Sequence, residues 1–255
     1  MGNGFSGDVA VYYARFRRGY PPQVIDAVCR ALRLTAEDVV LDLGCGTGQL
    51  ASPLSARVRR VVGVDPEPDM LRLARESGYD AVDWVLGTSD DVPELAGRFA
   101  GVSAITLANA IHLVDRTRLF AAAKDVLPSG GSLGIIANGT PLWFQDADWS
   151  RAVNGFMERE LGQPLTNRCG LDDEARDTYR RELEALGFAV QDHRVDYTAP
   201  LSIEQIVGGV FSAMSERIPP PEDRDRFAAD LAQQLPGGGP FLEHVPVRIL
   251  AAIAP

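Results

Sequence analysis

The sequence is poor in positive charge. Its 25 lysines and arginines are outnumbered by 35 aspartates and glutamates, Lys124 is the only lysine, and the formal net charge is −10 at pH 7. A protein that binds DNA or RNA normally presents a basic face to the phosphate backbone. We therefore expect no nucleic-acid partner.

Cysteines and long apolar runs are also scarce. The cysteines Cys29, Cys45 and Cys169 form no closely spaced pair, which argues against disulfides and against a zinc site, and we expect no metal ion. No apolar run approaches the roughly 20 residues of a membrane-spanning helix, and the amino terminus lacks the apolar stretch of a signal peptide. We therefore predict a cytoplasmic chain without a membrane partner.

The composition that remains is that of an ordinary globular protein. Hydrophobic residues make up 45% of the chain and charged residues 24%. A chain of 255 residues can bury a sizeable core, so we expect one domain or a domain with an embedded lid.

The most informative stretch is residues 39–48, an apolar run that contains one carboxylate and ends in three glycines alternating with small residues. The run predicts a buried parallel strand that stops abruptly, followed by a helix. Glycines allow a tight turn and let a ligand lie against bare main chain. A loop between the end of a strand and the start of a helix is where open α/β sheets hold nucleotides.

The glycine spacing distinguishes between nucleotides. A dinucleotide fingerprint has a glycine where this chain has Gln49, which disfavours a nicotinamide oxidoreductase. Asp42 precedes the first glycine by two residues, where its charge would repel a pyrophosphate but suit an ammonium group. Residues 42–48 resemble the first motif of class I S-adenosylmethionine-dependent methyltransferases. A turn that binds no ligand is the alternative.

A second apolar run, residues 60–65, also ends in a carboxylate. Asp65 lies about 20 residues beyond the loop, as expected of an acid that accepts hydrogen bonds from both ribose hydroxyls. Met70 would begin a helix beside the adenine. It could equally be a core methionine, but in the methyltransferase family an apolar residue here commonly covers the adenine, so the resemblance implies contact.

Residues 81–87 alternate like a strand, and Thr88, Ser89 and Asp90 follow it. This segment resembles the adenine-recognition loop of the family. Ser89 would offer its backbone N–H, and the Asp90 carboxylate would accept from the exocyclic amine. The same residues are also suited to starting a helix, and both roles can hold together.

The predicted fourth strand, residues 102–107, is followed by a polar segment near the expected reaction centre. Its His112 could act as a general base, since an unperturbed histidine pKa near 6.5 suits that role, or it could be structural. The family often has an aromatic residue after this histidine, and the chain has Leu113. Asp115 is predicted to cap a helix running to Val126. The Asn/Asp-Pro-Pro-aromatic signature of amino methylation on adenine or glutamine is absent.

The amino-terminal leader is rich in aromatics and arginines but lacks clean periodicity. Residues 13–21 resemble the leader of many small-molecule methyltransferases, which folds over the active site as a lid. The resemblance implies that Tyr13 and Arg17 meet the ligand's carboxylate; plain surface packing is the alternative. Because the leader shows no regular apolar face, we expect little to hold it without a ligand.

The composition changes after residue 138. Helices are predicted at 146–161, 172–186, 202–216 and 221–235, and strands at 188–197 and 245–253. Trp143, Phe144 and Trp149 would pack a core or line a substrate pocket. We expect a lid and first helix over 1–34, a cofactor-binding core over 35–138, and substrate-cap helices plus the last strands over 139–255.

Together these features predict an α/β fold with a doubly wound, mostly parallel seven-stranded sheet and a helical lid insertion. The resemblance implies S-adenosylmethionine as cofactor and a small-molecule acceptor, with O-methylation ranked before N- and C-methylation. The alternative is a protein that binds the cofactor without transfer, as a cyclase or a binding module. We expect a monomer or homodimer. The implied cofactor contacts are Tyr13, Arg17, Asp42, Gly44, Cys45, Gly46, Gln49, Asp65, Pro66, Met70, Thr88, Ser89, Asp90 and Asn109.

Overall fold

A computed structural model describes residues 4–78, 80–166 and 172–255, so Cys169 lies outside the described residues. The chain forms two compact units. We call one the sheet unit; it comprises Arg18–Asn138, Cys169–Val195 and Val247–Pro255. We call the other the helical unit; it comprises Met1–Arg17, Gly139–Arg168 and Asp196–Pro246.

The seven strands form one sheet in the order β3-β2-β1-β4-β5-β7-β6. Strands β1 to β5 pair in parallel, and β7 is antiparallel to β5. This arrangement confirms the predicted mostly parallel, doubly wound fold. The strands are β1 Val39–Leu43, β2 Arg60–Asp65, β3 Val82–Leu86, β4 Val102–Ala108, β5 Ser132–Asn138, β6 Ala189–Leu201 and β7 Phe241–Ile253.

Helices connect most of these strands. Asp115 accepts a hydrogen bond from the N–H of Arg118 at 3.2 Å, which confirms the predicted cap of the helix that ends at Val126. The α-helices are α1 Asp8–Phe16, α2 Pro22–Ala31, α3 Ala51–Leu54, α4 Pro68–Glu76, α5 Val92–Arg98, α6 Arg116–Val126, α7 Asp148–Leu161, α8 Asp173–Ala185, α9 Ile203–Phe211 and α10 Arg224–Gln234. Among the residues described, no helix is both apolar enough and long enough to cross a membrane.

The core of the sheet unit lies where the central strands pack against α5, α6 and α8. Every residue of β1 is buried, as the near-continuous apolar run predicts for a strand covered on both faces. Leu107 and Phe120 pack in the same core as Leu183 of α8. Because β1 to β5 pair in parallel, their carboxyl ends lie at one edge of the sheet.

The leader departs from the sequence prediction. Residues 8–16 form α1, which packs on α9 within the helical unit. The rings of Tyr12 and Phe211 meet edge to face at 5.0 Å, and Arg15 forms an ion pair with Glu204 at 2.7 Å. The expectation that little would hold the leader without a ligand was therefore wrong. The helical face was missed because arginines separate its aromatic residues.

Gly208 allows α1 to approach α9 closely. A Cβ atom at Gly208 would lie 2.2 Å from the ring of Phe16, well inside van der Waals contact. The absence of a side chain on α9 at this point therefore makes room for the phenyl ring.

We predict that Gly208→Ala displaces Phe16 and loosens α1, at a cost of about 1–3 kcal/mol, the usual cost of overpacking. Amide exchange over residues 8–16, measured by mass spectrometry, should become faster. Gly155→Ala in α7 is the matched control, because its Cβ would meet only Arg159 Nη1 at 3.6 Å. Unchanged exchange in Gly208→Ala would show that this contact does not hold the leader.

Candidate functional site

The glycine loop after β1 is tied to the end of β2. The N–H groups of Gly44 and Cys45 donate to the carbonyl of Val64 at 2.8 and 3.1 Å. The N–H of Gly46 donates to Asp65 Oδ2 at 2.8 Å. The loop conformation is therefore set by the neighbouring strand as well as by its own sequence.

All three glycines of this loop need their conformational freedom. Their φ angles lie in the left-handed region, which side chains disfavour. The values are 64° at Gly44, 55° at Gly46 and 90° at Gly48. A Cβ at Gly44 would also lie 2.6 Å from the Cβ of Ala110, so this position has no room for a side chain.

Asp65 is 7% exposed and is held by backbone donors. Its Oδ1 accepts from the N–H of Glu67 at 2.9 Å, while Oδ2 accepts from Gly46. Burial raises the pKa of Asp65, and the two backbone hydrogen bonds oppose that shift. Each carboxylate oxygen has a second acceptor position, so the group can still receive ribose hydroxyls.

Asp42 is the most buried carboxyl group of the site, at 1% exposure. Thr106 Oγ1 donates to its Oδ1 at 2.7 Å. Its Oδ2 has no hydrogen-bond partner in the described part of the chain. Burial raises the pKa of Asp42 to about 7, the Thr106 hydrogen bond lowers it, and the charge of Asp65 raises it. The nearby backbone N–H of Ala51 also lowers this pKa, although it makes no hydrogen bond to Oδ2. A buried acceptor without a donor is costly, so Oδ2 is suited to a cationic ligand group.

Four further residues predicted to contact the cofactor lie in the glycine loop or just after β2. Gln49 Nε2 donates to Thr47 Oγ1 at 2.6 Å, so its side chain folds back on the loop. Burial raises the pKa of the Cys45 thiol well above its ordinary value, which leaves it protonated and a poor nucleophile. Pro66 is exposed after β2, whereas Met70 is buried in α4.

Residues 88–90 form the predicted helix start. The N–H of Thr88 donates to Asp91 Oδ2 at 2.7 Å, and the N–H of Asp90 donates to Thr88 Oγ1 at 3.2 Å. Ser89 begins the short 3₁₀ turn Ser89–Asp91. The Asp90 carboxylate forms an exposed ion pair with Arg118 at 2.9 Å. Both the capping and the turn are therefore observed, and adenine recognition stays a prediction.

Asn109 joins the ends of β4 and β5. It has a φ of 54°, a left-handed conformation that asparagine tolerates better than most residues. Its N–H donates to the carbonyl of Ile136 at 2.9 Å, and its Oδ1 accepts from the N–H of Asn138 at 3.0 Å. These bonds fix the backbone that leads to the turn Ile111–Leu113.

His112 lies in that turn with an exposed side chain. Its imidazole makes no hydrogen bond to another of the described residues, and both the general-base role and the structural role stay predictions. Partial desolvation lowers the pKa of His112. The imidazole is therefore neutral at pH 7 and able to accept a proton.

The remaining predicted residues belong to the helical unit. The Arg17 guanidinium lies 5.2 Å from the centre of the Tyr13 ring, and Arg17 Nε donates to Ser212 Oγ at 2.9 Å. Trp143 and Phe144 are half-buried and meet edge to face at 6.5 Å.

Trp149 is a core residue of the helical unit. It is 4% exposed, and its ring centre lies 6.3 Å from that of Phe241. The helical unit therefore groups Tyr13 with Arg17 and Trp143 with Phe144, while Trp149 packs in the hydrophobic core.

Two residues that hydrogen-bond to the predicted site residues Asp42 and Arg17 were not predicted from the sequence. Thr106 is a polar residue inside the buried strand β4, and that unusual position was a usable signal that it bonds a neighbouring group. Ser212, at the end of α9, has a hydroxyl that donates to the carbonyl of Gly209 and accepts from Arg17. Nothing in the local sequence indicates a partner 195 positions away.

Comparison with known proteins gives a consistent result. A family model described as "Methyltransferase domain" matches residues 40–131. An uncharacterized methyltransferase of Mycobacterium tuberculosis is 32% identical over 196 residues, which cover 77% of this chain and 76% of that protein. A solved structure of a putative type II methyltransferase from Anaeromyxobacter dehalogenans has a TM-score of 0.62 at 19% identity, covering 94% of this chain and 97% of that one.

Two relatives with stated substrate pathways match shorter stretches. A ubiquinone/menaquinone biosynthesis C-methyltransferase of Rubrivivax gelatinosus is 32% identical over 108 residues, 41% of each chain. A ubiquinone biosynthesis O-methyltransferase of Xanthomonas axonopodis is 32% identical over 110 residues, 41% of this chain and 45% of that protein. The similarity thus extends to relatives that methylate carbon and to relatives that methylate oxygen.

The buried Asp42 predicts a distinctive pH dependence of stability. The folded chain retains the Asp42 proton up to pH about 7, whereas the unfolded chain releases it near the ordinary aspartate pKa of 3.8. Between these values the folded state binds more protons, so Asp42 lowers the free energy of unfolding as pH rises.

Asp42→Asn should remove this contribution. Relative to the variant, the wild type should lose about 2–3 kcal/mol of unfolding free energy between about pH 5 and about pH 8. Urea denaturation at the two pH values measures the difference. Parallel pH dependences in the two proteins would show that Asp42 is ionised in the folded chain throughout.

Proposed function

The chain belongs to the class I S-adenosylmethionine-dependent methyltransferases, and on that premise we propose that it methylates a small molecule, preferentially at oxygen. The observation that carries the proposal is the site at one sheet edge. There, the glycines of the loop have left-handed φ angles, and the loop N–H of Gly46 holds the Asp65 carboxylate. Beside the loop, the buried Asp42 has an Oδ2 without a hydrogen-bond partner among the described residues. S-adenosylmethionine is the methyl donor, and its sulfonium carries a methyl group that is already activated.

The donor set matches the parts of this cofactor. Asp42 would face the ammonium group, whose charge would stabilise the ionised carboxylate that burial disfavours. Asp65 would accept from the ribose hydroxyls while it keeps its bonds to Gly46 and Glu67. The bare backbone of the glycine loop lets the ligand approach closely.

The remaining proposed cofactor contacts come from the sheet unit and from the amino-terminal leader. The short turn after β3 would recognise the adenine, and the buried thioether after β2 would cover its face. Tyr13 of α1 and Arg17, which follows the helix, would meet the ligand's carboxylate. Together with residues of the glycine loop and of the ends of β2 and β4, the full set of these contacts is Tyr13, Arg17, Gly44, Cys45, Gln49, Pro66, Met70, Thr88, Ser89, Asp90 and Asn109.

The proposed acceptor is a small molecule. The net charge of −10 disfavours a nucleic acid, and the quinone-pathway relatives are named for small-molecule pathways. Trp143 and Phe144, both half-buried, would contact the acceptor, with Trp149 packed in the core of the same unit. Placement of the acceptor in line with the methyl group and exclusion of water would supply most of the rate.

His112 would serve an acceptor that loses a proton during methyl transfer. A hydroxyl must lose its proton during transfer, and an exposed, neutral imidazole near the end of β4 can receive it. A carbon acceptor would need a base more strictly, whereas an amine needs only its free-base form. We rank oxygen first because a phenol or carboxylate acceptor needs at most one base, which His112 would supply. The matched relatives include enzymes named for methylation at carbon and at oxygen.

The acceptor atom can be identified directly. The protein is incubated with ¹³C-methyl S-adenosylmethionine and a small-molecule extract of its source cell, and the product is examined by NMR. A labelled methyl group with an O-methyl chemical shift supports the proposal. A label on nitrogen or carbon refutes O-methylation, and label in macromolecules alone refutes the small-molecule acceptor.

Asp65→Ala should weaken binding of S-adenosylhomocysteine by about 1.5–3 kcal/mol, the scale of hydrogen bonds to a charged group. Titration calorimetry measures the affinity, and circular dichroism confirms the fold. Glu76→Ala is a control, because it removes an exposed carboxylate paired only with Arg72 at 2.9 Å. Unchanged affinity in Asp65→Ala would exclude it as the ribose ligand.

His112→Ala should lower kcat for a hydroxyl acceptor by about 10²–10⁴, while the affinity for S-adenosylhomocysteine stays within a few-fold. In the wild type, kcat should rise with pH through the lowered pKa of His112 and then level off. His244→Ala in the helical unit is the matched control. A decrease of less than about threefold in His112→Ala would remove His112 from the proton-transfer step.

A further inference from the structure

Three residues of neighbouring strands share one row and one face of the sheet. Asp42 of β1 pairs in register with Gly63 of β2, and Gly63 pairs with Trp84 of β3. Since in-register residues of parallel strands point to the same side, the Trp84 side chain lies on the face that carries Asp42. Gly63 leaves the space between them open.

The Trp84 indole occupies that space. A Cβ at Gly63 would lie 2.7 Å from both Cε3 and Cζ3 of the ring, and 3.1 Å from Cys45 Sγ. The φ of Gly63 lies outside the left-handed region, so its backbone would accept another residue. The indole is therefore the main reason that this strand position is a glycine.

The other end of the same ring reaches the glycine loop. A Cβ at Gly48 would lie 2.6 Å from Trp84 Cη2 and 3.4 Å from Cζ2. The indole thus spans from β2 to the last glycine of the loop. From α4, Arg75 Nη2 donates to the Trp84 carbonyl at 3.0 Å, which helps to fix the residue in place.

We propose that Trp84 is a positioning residue for the cofactor site, an inference that rests on the proposed function. Its indole packs against the end of the loop at Gly48 and thereby keeps the Gly46 N–H directed at Asp65. Gly48 is needed for two reasons: its φ of 90° disfavours a side chain, and a Cβ there would clash with the indole. Trp84 acts through the loop and takes no part in methyl transfer itself.

Trp84→Ala should weaken S-adenosylhomocysteine binding by about 10- to 100-fold, the range found when the residues that orient metal ligands are removed from metal sites. Trp84→Phe, which keeps part of the ring surface, should restore much of the affinity. Phe188→Ala is the matched control, because it removes a buried aromatic from the same unit away from the loop. It should lower the unfolding temperature without changing the affinity.

A double variant tests the contact itself. Gly63→Ala alone should weaken binding, because the new methyl group meets the ring. Adding Trp84→Ala should remove that clash and leave only the weaker contact of the new methyl group with Cys45 Sγ, 3.1 Å away. The double variant should therefore lose less affinity than the two single variants combined. Additive losses in the double variant, or an affinity of Trp84→Ala within twofold of the wild type, would overturn the proposal.

Amide exchange without ligand separates this proposal from the proposed function. Exchange over residues 44–48 should be faster in Trp84→Ala than in Phe188→Ala or the wild type. If the wild type does not bind S-adenosylhomocysteine, the proposed function fails, and this exchange still decides whether the indole positions the loop. Equal exchange in all three proteins would refute the positioning role.

Discussion

The site depends on the hydrogen bond from the Gly46 N–H to the Asp65 carboxylate. This bond joins the loop after β1 to the end of β2 at 2.8 Å, and the Val64 carbonyl holds the preceding two residues of the loop. Parallel pairing of β1 and β2 brings the two segments to the same edge. One carboxylate therefore shapes the loop and remains available to a ligand through its other lone pairs.

The same edge concentrates acidic groups that burial disfavours. Burial raises the pKa values of both Asp42 and Asp65, and Asp42 keeps an oxygen without a partner among the described residues. A buried carboxyl oxygen that lacks a donor lowers the free energy of unfolding. A buried group such as Asp42 that lowers stability is typical of binding sites. A cationic ligand group would offset that loss of stability.

Much of this arrangement could be predicted from local sequence. The apolar runs of β1 and β2 each carry a carboxylate near the carboxyl end, and glycine spacing distinguishes the loop from a dinucleotide site. The helix α1 could not be found this way, because its apolar face is completed by α9, about 190 positions further along the chain. The contact between Trp84 and Gly63 likewise depends on strand register, which no single segment shows. The acceptor could not be predicted, because the second half of the chain shows layout but no specific motif.

The central claim is that the chain transfers a methyl group and does more than bind its cofactor. The most direct measurement quantifies, in one reaction with an accepted substrate, both the S-adenosylhomocysteine released and the methyl groups incorporated. For a methyltransferase, one S-adenosylhomocysteine should be released for each methyl group incorporated. Binding of S-adenosylmethionine without release of S-adenosylhomocysteine, or release that is independent of methylated product, would contradict this claim.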